Sequence, residues 1–216
     1  MKPNKVLQLI TLVIAIIPIF YYAFIQGSLP DQIPMHFDFQ GNVNRYGDKS
    51  ELLFLALLPL GMFFLFMILP KIDPKGKSYE KVRGFYDIFM LFMTLFMDAI
   101  LFIVIRVALN PGSVNISLFS LLSIGALFIL IGNYMPRFKQ NYTMGIKTPW
   151  TLNSEIVWIK THRMGGYAFT ISGVLFVFAA FTDGIFLTIL MSLCFIIILV
   201  PCVASYFYYQ AEQKRL

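Results

Sequence analysis

Residues 185–207, IFLTILMSLCFIIILVPCVASYF, contain no charged side chain. A run of this length supplies the ~20 apolar residues that a helix needs to cross the hydrocarbon of a bilayer. Five further apolar blocks precede it, at 6–26, 52–69, 85–109, 117–135 and 166–182. No water is available in hydrocarbon to pair backbone amides, so each block must pair its own backbone, as a helix does. The whole chain agrees: of 216 residues, 58% are hydrophobic and 13% charged, about half the ~25% charged of a soluble domain. The sequence therefore predicts an all-α integral membrane protein with six transmembrane helices. Asp183-Gly184 is a tight-turn dipeptide, so the last two blocks form a helical hairpin. The first block follows Lys2 and Lys5 as a signal peptide would. Its apolar run exceeds the ~7–15 residues of a signal core and no small-residue cleavage site follows, so we read it as a retained helix.

Basic residues orient the bundle. With the N-terminus inside, the cytoplasmic segments hold Lys2, Lys5, Lys71, Lys75, Lys77, Lys81, Arg83, Arg137, Lys139, Lys147, Lys160, Arg163, Lys214 and Arg215. Only Arg45, Lys49 and Arg106 of the seventeen fall outside. This bias predicts an N-in, C-in topology. The net charge of +6 is spread over the flanks of apolar blocks, which is anchoring to membrane lipid and not a stripe for direct nucleic-acid binding. The two cysteines, Cys194 and Cys202, are eight residues apart in one block. Roughly 12 Å of helix separates them, too far for a bridge. We read both as packing residues and expect no metal and no cofactor. The organisation expected is one membrane domain with two parts. Residues 1–84 form a two-helix unit with an extracytoplasmic loop at 27–51. Residues 85–216 form a four-helix unit with a cytoplasmic segment at 133–166.

The outer loop carries a strand signal. Met35, Phe37 and Phe39 alternate with His36, Asp38 and Gln40, Gly41-Asn42 is a turn, and Val43 to Tyr46 returns. Pro30 and Pro34 favour extended backbone before it. A small ordered cap is expected, with His36, Asp38, Gly41 and Tyr46 as its candidate residues. His36 and Asp38 share a strand face, which suits a pH sensor or a metal ligand as well as a plain solvated histidine. Within the membrane, Asp98 sits near the middle of the third helix. Carboxylates there usually face a bundle interior or cavity. Asp98 reads either as a proton or ligand site or as a packing carboxyl.

The densest polar stretch is GNYMPRFKQNYTMGIKTPWTLNSEIVWIKTHRMGG, residues 132–166. It holds both tryptophans and only one acid, Glu155. Pro136 ends the helix before it. Thr148-Pro149 forces an extended backbone. Thr151, Asn153 and Ser154 are candidate helix caps, with Glu155 in the first turn. A short amphipathic helix is expected over about 154–163, with Glu155, Trp158 and His162 on one face. An interfacial helix would account for the tryptophans and the basic residues. It would not require Asn141, Gly145, Thr148-Pro149 and His162-Arg163 together.

The run Gly145-Ile146-Lys147-Thr148-Pro149-Trp150-Thr151-Leu152, then Ser154-Glu155, Trp158, Thr161-His162-Arg163 and Gly165-Gly166, resembles the signature of the SdpI family. Asn133, Arg137, Lys139 and Asn141 match it upstream. Leu29-Pro30, Ile33-Pro34, His36, Gly41 and Tyr46-Gly47 resemble the small domain of unknown function found at the N-terminus of such proteins. Lys147 stands where many members carry Arg, keeping the charge without the planar fork.

The resemblance implies a membrane immunity protein of a Gram-positive bacterium, resident in the cell membrane as a multi-pass protein. It implies protection from a secreted, membrane-active peptide toxin, an extracellular partner. It also implies a cytosolic transcriptional repressor held at the membrane. It makes Asn133, Arg137, Asn141, Gly145, Lys147, Thr148, Pro149, Trp150, Glu155, Trp158, His162 and Arg163 the functional candidates. Two other classes stay open from the residues themselves. One is a proton-coupled transporter using Asp98. The other is a membrane enzyme, for which neither a metalloprotease helix motif nor a hydrolase triad spacing is present.

Overall fold

The computed structural model describes residues 4–38 and 40–214. Phe39, Lys2 and Arg215, which entered the strand pattern and the charge count, lie outside the described residues. The chain runs α1 (Lys5–Ile25), β1 (Gln32–Phe37), β2 (Val43–Asp48), α2 (Glu51–Ile72), α3 (Arg83–Leu109), α4 (Ile116–Tyr134), α5 (Pro149–Asn153), α6 (Glu155–Ala179) and α7 (Gly184–Gln213). Among the described residues five segments are long and apolar enough to cross a membrane: Lys5–Ser28, Glu51–Ile72, Gly76–Leu109, Ile116–Arg137 and Gly184–Gln213. The protein is an all-α membrane protein with one small β-hairpin. The 25-residue α6 is not in this set, because its first half carries Glu155, Lys160, His162 and Arg163.

Two compact units form. One is Met1–Leu69 with Arg83–Ser117, and the other is Pro70–Val82 with Leu118–Leu216. This differs from a division at 84/85, because α3 packs on α1 and β1. In the first unit Asp87 of α3 fastens the start of α1. It accepts from the Asn4 backbone N–H and the Gln8 side chain, both at 2.9 Å, with Arg83 at 3.6 Å. The core of this unit gathers Tyr22, Leu29, Ile33, Leu52, Leu101 and Ile105.

The hairpin is antiparallel, with Gln32 opposite Asp48 and Pro34 opposite Tyr46. Its first strand starts three residues before Met35, the expected start, since Ile33 and Pro34 are buried and Pro34 tolerates extended backbone on an edge strand. The turn is held by Asp38, which accepts from the backbone N–H groups of Gln40 and Asn42, and by Gly41 at φ +86°.

In the second unit two glycine pairs bring α4 against α6. A Cβ on Gly125 would lie 2.8 Å from the Gly173 carbonyl oxygen, and one on Gly173 2.7 Å from the Gly125 carbonyl oxygen. A heptad away, a Cβ on Gly132 would lie 2.7 Å from the Gly166 oxygen, and one on Gly166 2.9 Å from the Gly132 oxygen. The opposed order shows the helices antiparallel, at a separation only glycine allows. On the next side of α6, Ser172 Oγ donates to the Cys194 carbonyl at 3.3 Å and the Cys194 thiol donates to the Ser172 carbonyl at 3.5 Å. Cys194 is thus a packing residue, as read from the sequence.

The expected short amphipathic helix over 154–163 is corrected by this geometry. It is not a separate element, because α6 continues through Gly165-Gly166 to Ala179. Glycine costs a helix about 1 kcal/mol against alanine. Here it does not end the helix, because Gly165 and Gly166 receive Met135, Ile146 and Pro136 at close range.

Gly125→Ala or Gly173→Ala should lower stability by about 1–3 kcal/mol through overpacking, read as a fall in the thermal midpoint in detergent. Gly61 of α2 has nothing within 4 Å of a Cβ, so Gly61→Ala should leave the midpoint level or slightly raised. Equal losses at Gly61 and Gly173 would refute the close approach.

Candidate functional site

The segment between α4 and α6 is irregular backbone, and its construction is a sequence of paired polar groups. Met135–Arg137 makes one 3-10 turn. Asn141 follows, buried. Its Oδ1 accepts from the N–H groups of Thr143 at 2.9 Å and Met144 at 2.7 Å, and its Nδ2 donates to the Lys139 carbonyl at 2.8 Å. This is a local side-chain turn of the kind Asn forms readily.

Gly145 then takes φ +107°, and a Cβ there would collide with the His162 Nε2. The glycine is required twice, for its left-handed backbone and for the approach of the imidazole. Ile146 N–H donates to His162 Nε2 at 3.0 Å. An acceptor Nε2 carries no proton, so the neutral ring is protonated at Nδ1, which donates to the Trp158 carbonyl at 2.9 Å. Trp158 stacks on His162 with centroids 3.9 Å apart, and its indole N–H donates to the Phe138 carbonyl at 2.8 Å. Both side chains are fully buried.

Thr148 caps α5, accepting from the Thr151 N–H at 3.2 Å while Thr151 Oγ1 accepts from the Thr148 N–H at 2.9 Å. Pro149 occupies the first helical position, where its missing N–H costs nothing. Neither the helix α5 nor the cap at Thr148 was expected from the sequence. Thr148-Pro149 marks a helix start as well as extended backbone, since Pro suits the first helical position. Ser154, an expected cap, caps α6 through the Val157 N–H. Thr148 also meets Ser205 Oγ at 2.9 Å, and Asn153 donates to Tyr209 at 2.9 Å, fixing α5 on α7. Trp150 packs edge-on against Tyr206 at 5.2 Å.

Asp73, missed by sequence reading, is the other anchor. It is buried and accepts from the Lys75 and Tyr142 backbone N–H groups at 2.8 and 3.0 Å, and from the hydroxyls of Tyr79 and Thr143. Tyr79 and Thr143 are also bonded to each other, as are Lys75 Nζ and Gln140. Burial alone would push the Asp73 carboxyl up. The N–H donors of Lys75 and Tyr142, with the two hydroxyls, outweigh it and hold the group below its ordinary value.

The remaining expected residues point elsewhere. Glu155, Arg137, Arg163, Lys147 and Asn133 are exposed. Lys147 Nζ donates to the Tyr142 and Thr143 carbonyls at 3.3 and 3.0 Å, Asn133 to the Ile129 carbonyl, and Arg137 lies 5.1 Å over the Tyr134 ring. The grouping of Glu155 with Trp158 and His162 on one face is corrected, because helix twist leaves Glu155 outward while the two rings are buried. In the hairpin, His36 Nδ1 meets Asn44 Oδ1 at 2.6 Å. The pairing of His36 with Asp38 is corrected too, since β1 ends at Phe37 and Asp38 turns to Asn42. That amide holds the Asp38 carboxyl below its ordinary value. Tyr46 is exposed. Asp98 is buried, and among the described residues its Oδ1 has no hydrogen-bond partner.

This knot of Asn141, Gly145, Thr148, Trp158 and His162 falls within or beside residues 137–208, which match the model of the SdpI/YfhL protein family. Over those residues the chain is similar to the SdpI/YfhL protein family. Residues 13–62, covering most of α1, the hairpin and half of α2, match a domain of unknown function, DUF1648. The chain is 26% identical over 211 residues to the Immunity protein SdpI of Bacillus subtilis (strain 168), covering 97% of each. No solved structure matches.

Replacing His162 by Leu should cost about 1–3 kcal/mol, because the Ile146 N–H is left buried and unpaired. A thermal midpoint in detergent reads this, and an unchanged midpoint would remove the imidazole from the scaffold. Asp73 gives a pH test. Its folded pKa is depressed, so its stabilisation is complete above the ordinary 3.8 and is lost as pH falls through the lower folded value. Asp73→Asn should be less stable near neutrality and should show a shallower acid loss between about pH 5 and pH 2. Parallel pH curves for the two proteins would contradict the assignment.

Proposed function

We propose that this protein is a membrane immunity protein, protecting the cell that carries it against a secreted, membrane-active peptide. The observation that carries the reading is the similarity to an immunity protein along 97% of both chains, joined to a membrane-spanning helical fold. The reading places it in the cell membrane of a Gram-positive bacterium.

We read six spans. The support for α6 is its position, since its apolar half lies antiparallel to α4 at Gly125–Gly173 and Gly132–Gly166 and to α7 at Ser172–Cys194. Its neighbours are both candidate spans, so α6 shares their depth. Its charged residues all precede Gly165. An even number of spans puts both termini on one side, and the basic bias makes that side cytoplasmic. The hairpin then faces outward. Arg45 pairs with Glu51 and Lys49 with Asp31, each at 2.8 Å. Among the described residues Asp38 and Asp48 form no salt bridge, so the hairpin offers an acidic surface to a cationic peptide.

Expression in a peptide-sensitive Gram-positive strain should raise survival against a cognate toxin by orders of magnitude in minimum dose. Unchanged survival across candidate peptides, with the protein shown in the membrane, would sink the proposal. Topology is tested with a membrane-impermeant thiol reagent on intact cells. Tyr46→Cys should label and Lys147→Cys should not, and the reverse pattern would invert the orientation.

A second reading, a proton-coupled transporter, is favoured by one observation, the buried and unpartnered Oδ1 of Asp98. Proton-coupled flux abolished by Asp98→Asn would support it, and flux that survives the substitution would end it.

A further inference from the structure

The outward face of α6 carries a pattern that the scaffold does not use. Residues 156, 160, 163, 167, 171 and 178 follow helical spacing along one face. Ile171 and Phe178 are exposed toward the C-terminal end, and Tyr167 is 66% exposed next to them. Lys160 and Arg163 interrupt this stripe and are both exposed. Ile156 and Ile159 resume it on the other side, 54% and 49% exposed. A cationic band inside an otherwise apolar, uncovered stripe is out of place on a water-facing helix.

Neither cation is neutralised by an acid. Among the described residues no salt bridge includes Lys160 or Arg163. Lys160 Nζ lies 5.8 Å over the ring of Tyr208, which also reaches the Met164 sulfur at 3.8 Å. This contact steadies the ammonium at the α7 edge of the face without cancelling its charge. On the other edge Pro136 packs against Gly166, and exposed Arg137 follows it in the chain. Arg163 is about 6 Å along the axis from Tyr167 at 1.5 Å per residue. Tyr is enriched at headgroup level, and here it lies about one helical turn from a cation.

We propose that Lys160 and Arg163 form a binding site for the headgroup of an anionic glycerophospholipid, with Arg137 at its margin. The proposal rests on the membrane placement of α6 given above and not on the immunity activity. The phosphodiester sits between the ammonium and the guanidinium, whose planar fork takes two phosphate oxygens. The acyl chains follow Tyr167, Ile171 and Phe178. The charge complementarity selects an anionic lipid over a zwitterionic one, in which a quaternary ammonium would meet the same cations. The opposite face of the same two turns carries Trp158 and His162, which hold the Phe138 carbonyl and the Ile146 N–H. Lipid bound outside therefore stabilises the knot inside.

The test uses the full chain purified in a neutral detergent and titrated with short-chain phosphatidylglycerol, with the thermal midpoint and native mass spectrometry as readouts. Phosphatidylglycerol should raise the midpoint and remain bound, and phosphatidylcholine should do neither. Lys160→Gln/Arg163→Gln should weaken the apparent affinity by about fivefold for each cation removed. Arg163→Lys should fall between. Lys71→Gln/Lys77→Gln removes the same net charge from exposed positions elsewhere and should keep the wild-type response. Equal responses in the site and control variants would overturn the proposal in favour of bulk charge. A response reproduced by inorganic phosphate alone would overturn the lipid as the ligand. Absence of toxin protection by the wild-type chain, with lipid binding intact, would count against the immunity reading and leave this site standing.

Discussion

Irregular backbone is tolerated inside a helical bundle only where every buried amide and carbonyl finds a partner within the protein. That constraint governs residues 138–148. The helices on either side pair their own backbones. The connecting segment does not, and its groups are taken one by one by Trp158 at the Phe138 carbonyl, Asp73 at the Tyr142 N–H, Asn141 at the Thr143 and Met144 N–H, and His162 at the Ile146 N–H. Four side chains replace the ladder that a helix would have supplied. A hydrogen bond made inside is worth only about 1 kcal/mol net, but a buried donor left unmade costs ~1–3 kcal/mol. The segment is therefore held mainly by the penalty for losing any one of these partners.

The same constraint explains the glycines. Gly145 must yield space to the imidazole, and Gly165 and Gly166 must yield space to Met135, Ile146 and Pro136. Further along, Gly125, Gly132 and Gly173 let α4 and α6 approach until backbone meets backbone. In lipid the hydrophobic effect does not drive helices together, so packing of this closeness and hydrogen bonds such as the Ser172–Cys194 pair carry the association. The inner knot and the glycine contacts share one helix, α6. Tilting it by even a small angle would break hydrogen bonds at one end and create voids or clashes at the other.

These features divide sharply by legibility. The apolar blocks at 6–26, 52–69, 85–109, 117–135 and 185–207 lie within or close to α1, α2, α3, α4 and α7, because helix formation in lipid follows from local composition. The hairpin was legible for a similar reason, since period-two alternation and Gly41 are local signals. The continuity of α6 was not. A polar half and an apolar half read as two elements, and only the packing of Gly165 and Gly166 against distant residues shows why the helix runs on. The glycine pairs have equal spacing in the sequence, 125 to 132 and 166 to 173. Spacing alone does not tell which helix faces which. Asp73 was illegible because all its partners but Lys75 and Tyr79 lie some seventy residues away.

The polar stretch from Asn133 to Arg163 thus mixes two kinds of residue that sequence alone merges. Asn141, Gly145, Thr148, Trp158 and His162 face inward and are consumed by backbone pairing, so changing them alters the fold before it alters any encounter. Asn133, Arg137, Lys147, Glu155 and Arg163 face outward, and among the described residues Glu155 and Arg163 have no salt-bridge partner. A residue that is charged, exposed and unpaired contributes little to stability, so its place in a motif calls for something outside the chain. On α6 the stripe of Tyr167, Ile171 and Phe178 next to Arg163 supplies that outside party as lipid. For Glu155 the same reasoning points away from an anionic bilayer surface, because a carboxylate at the first turn of α6 would be repelled by it. The two charged residues of one helix end therefore address different surroundings. The headgroup layer meets α6 at Lys160 and Arg163, with Glu155 on its aqueous side.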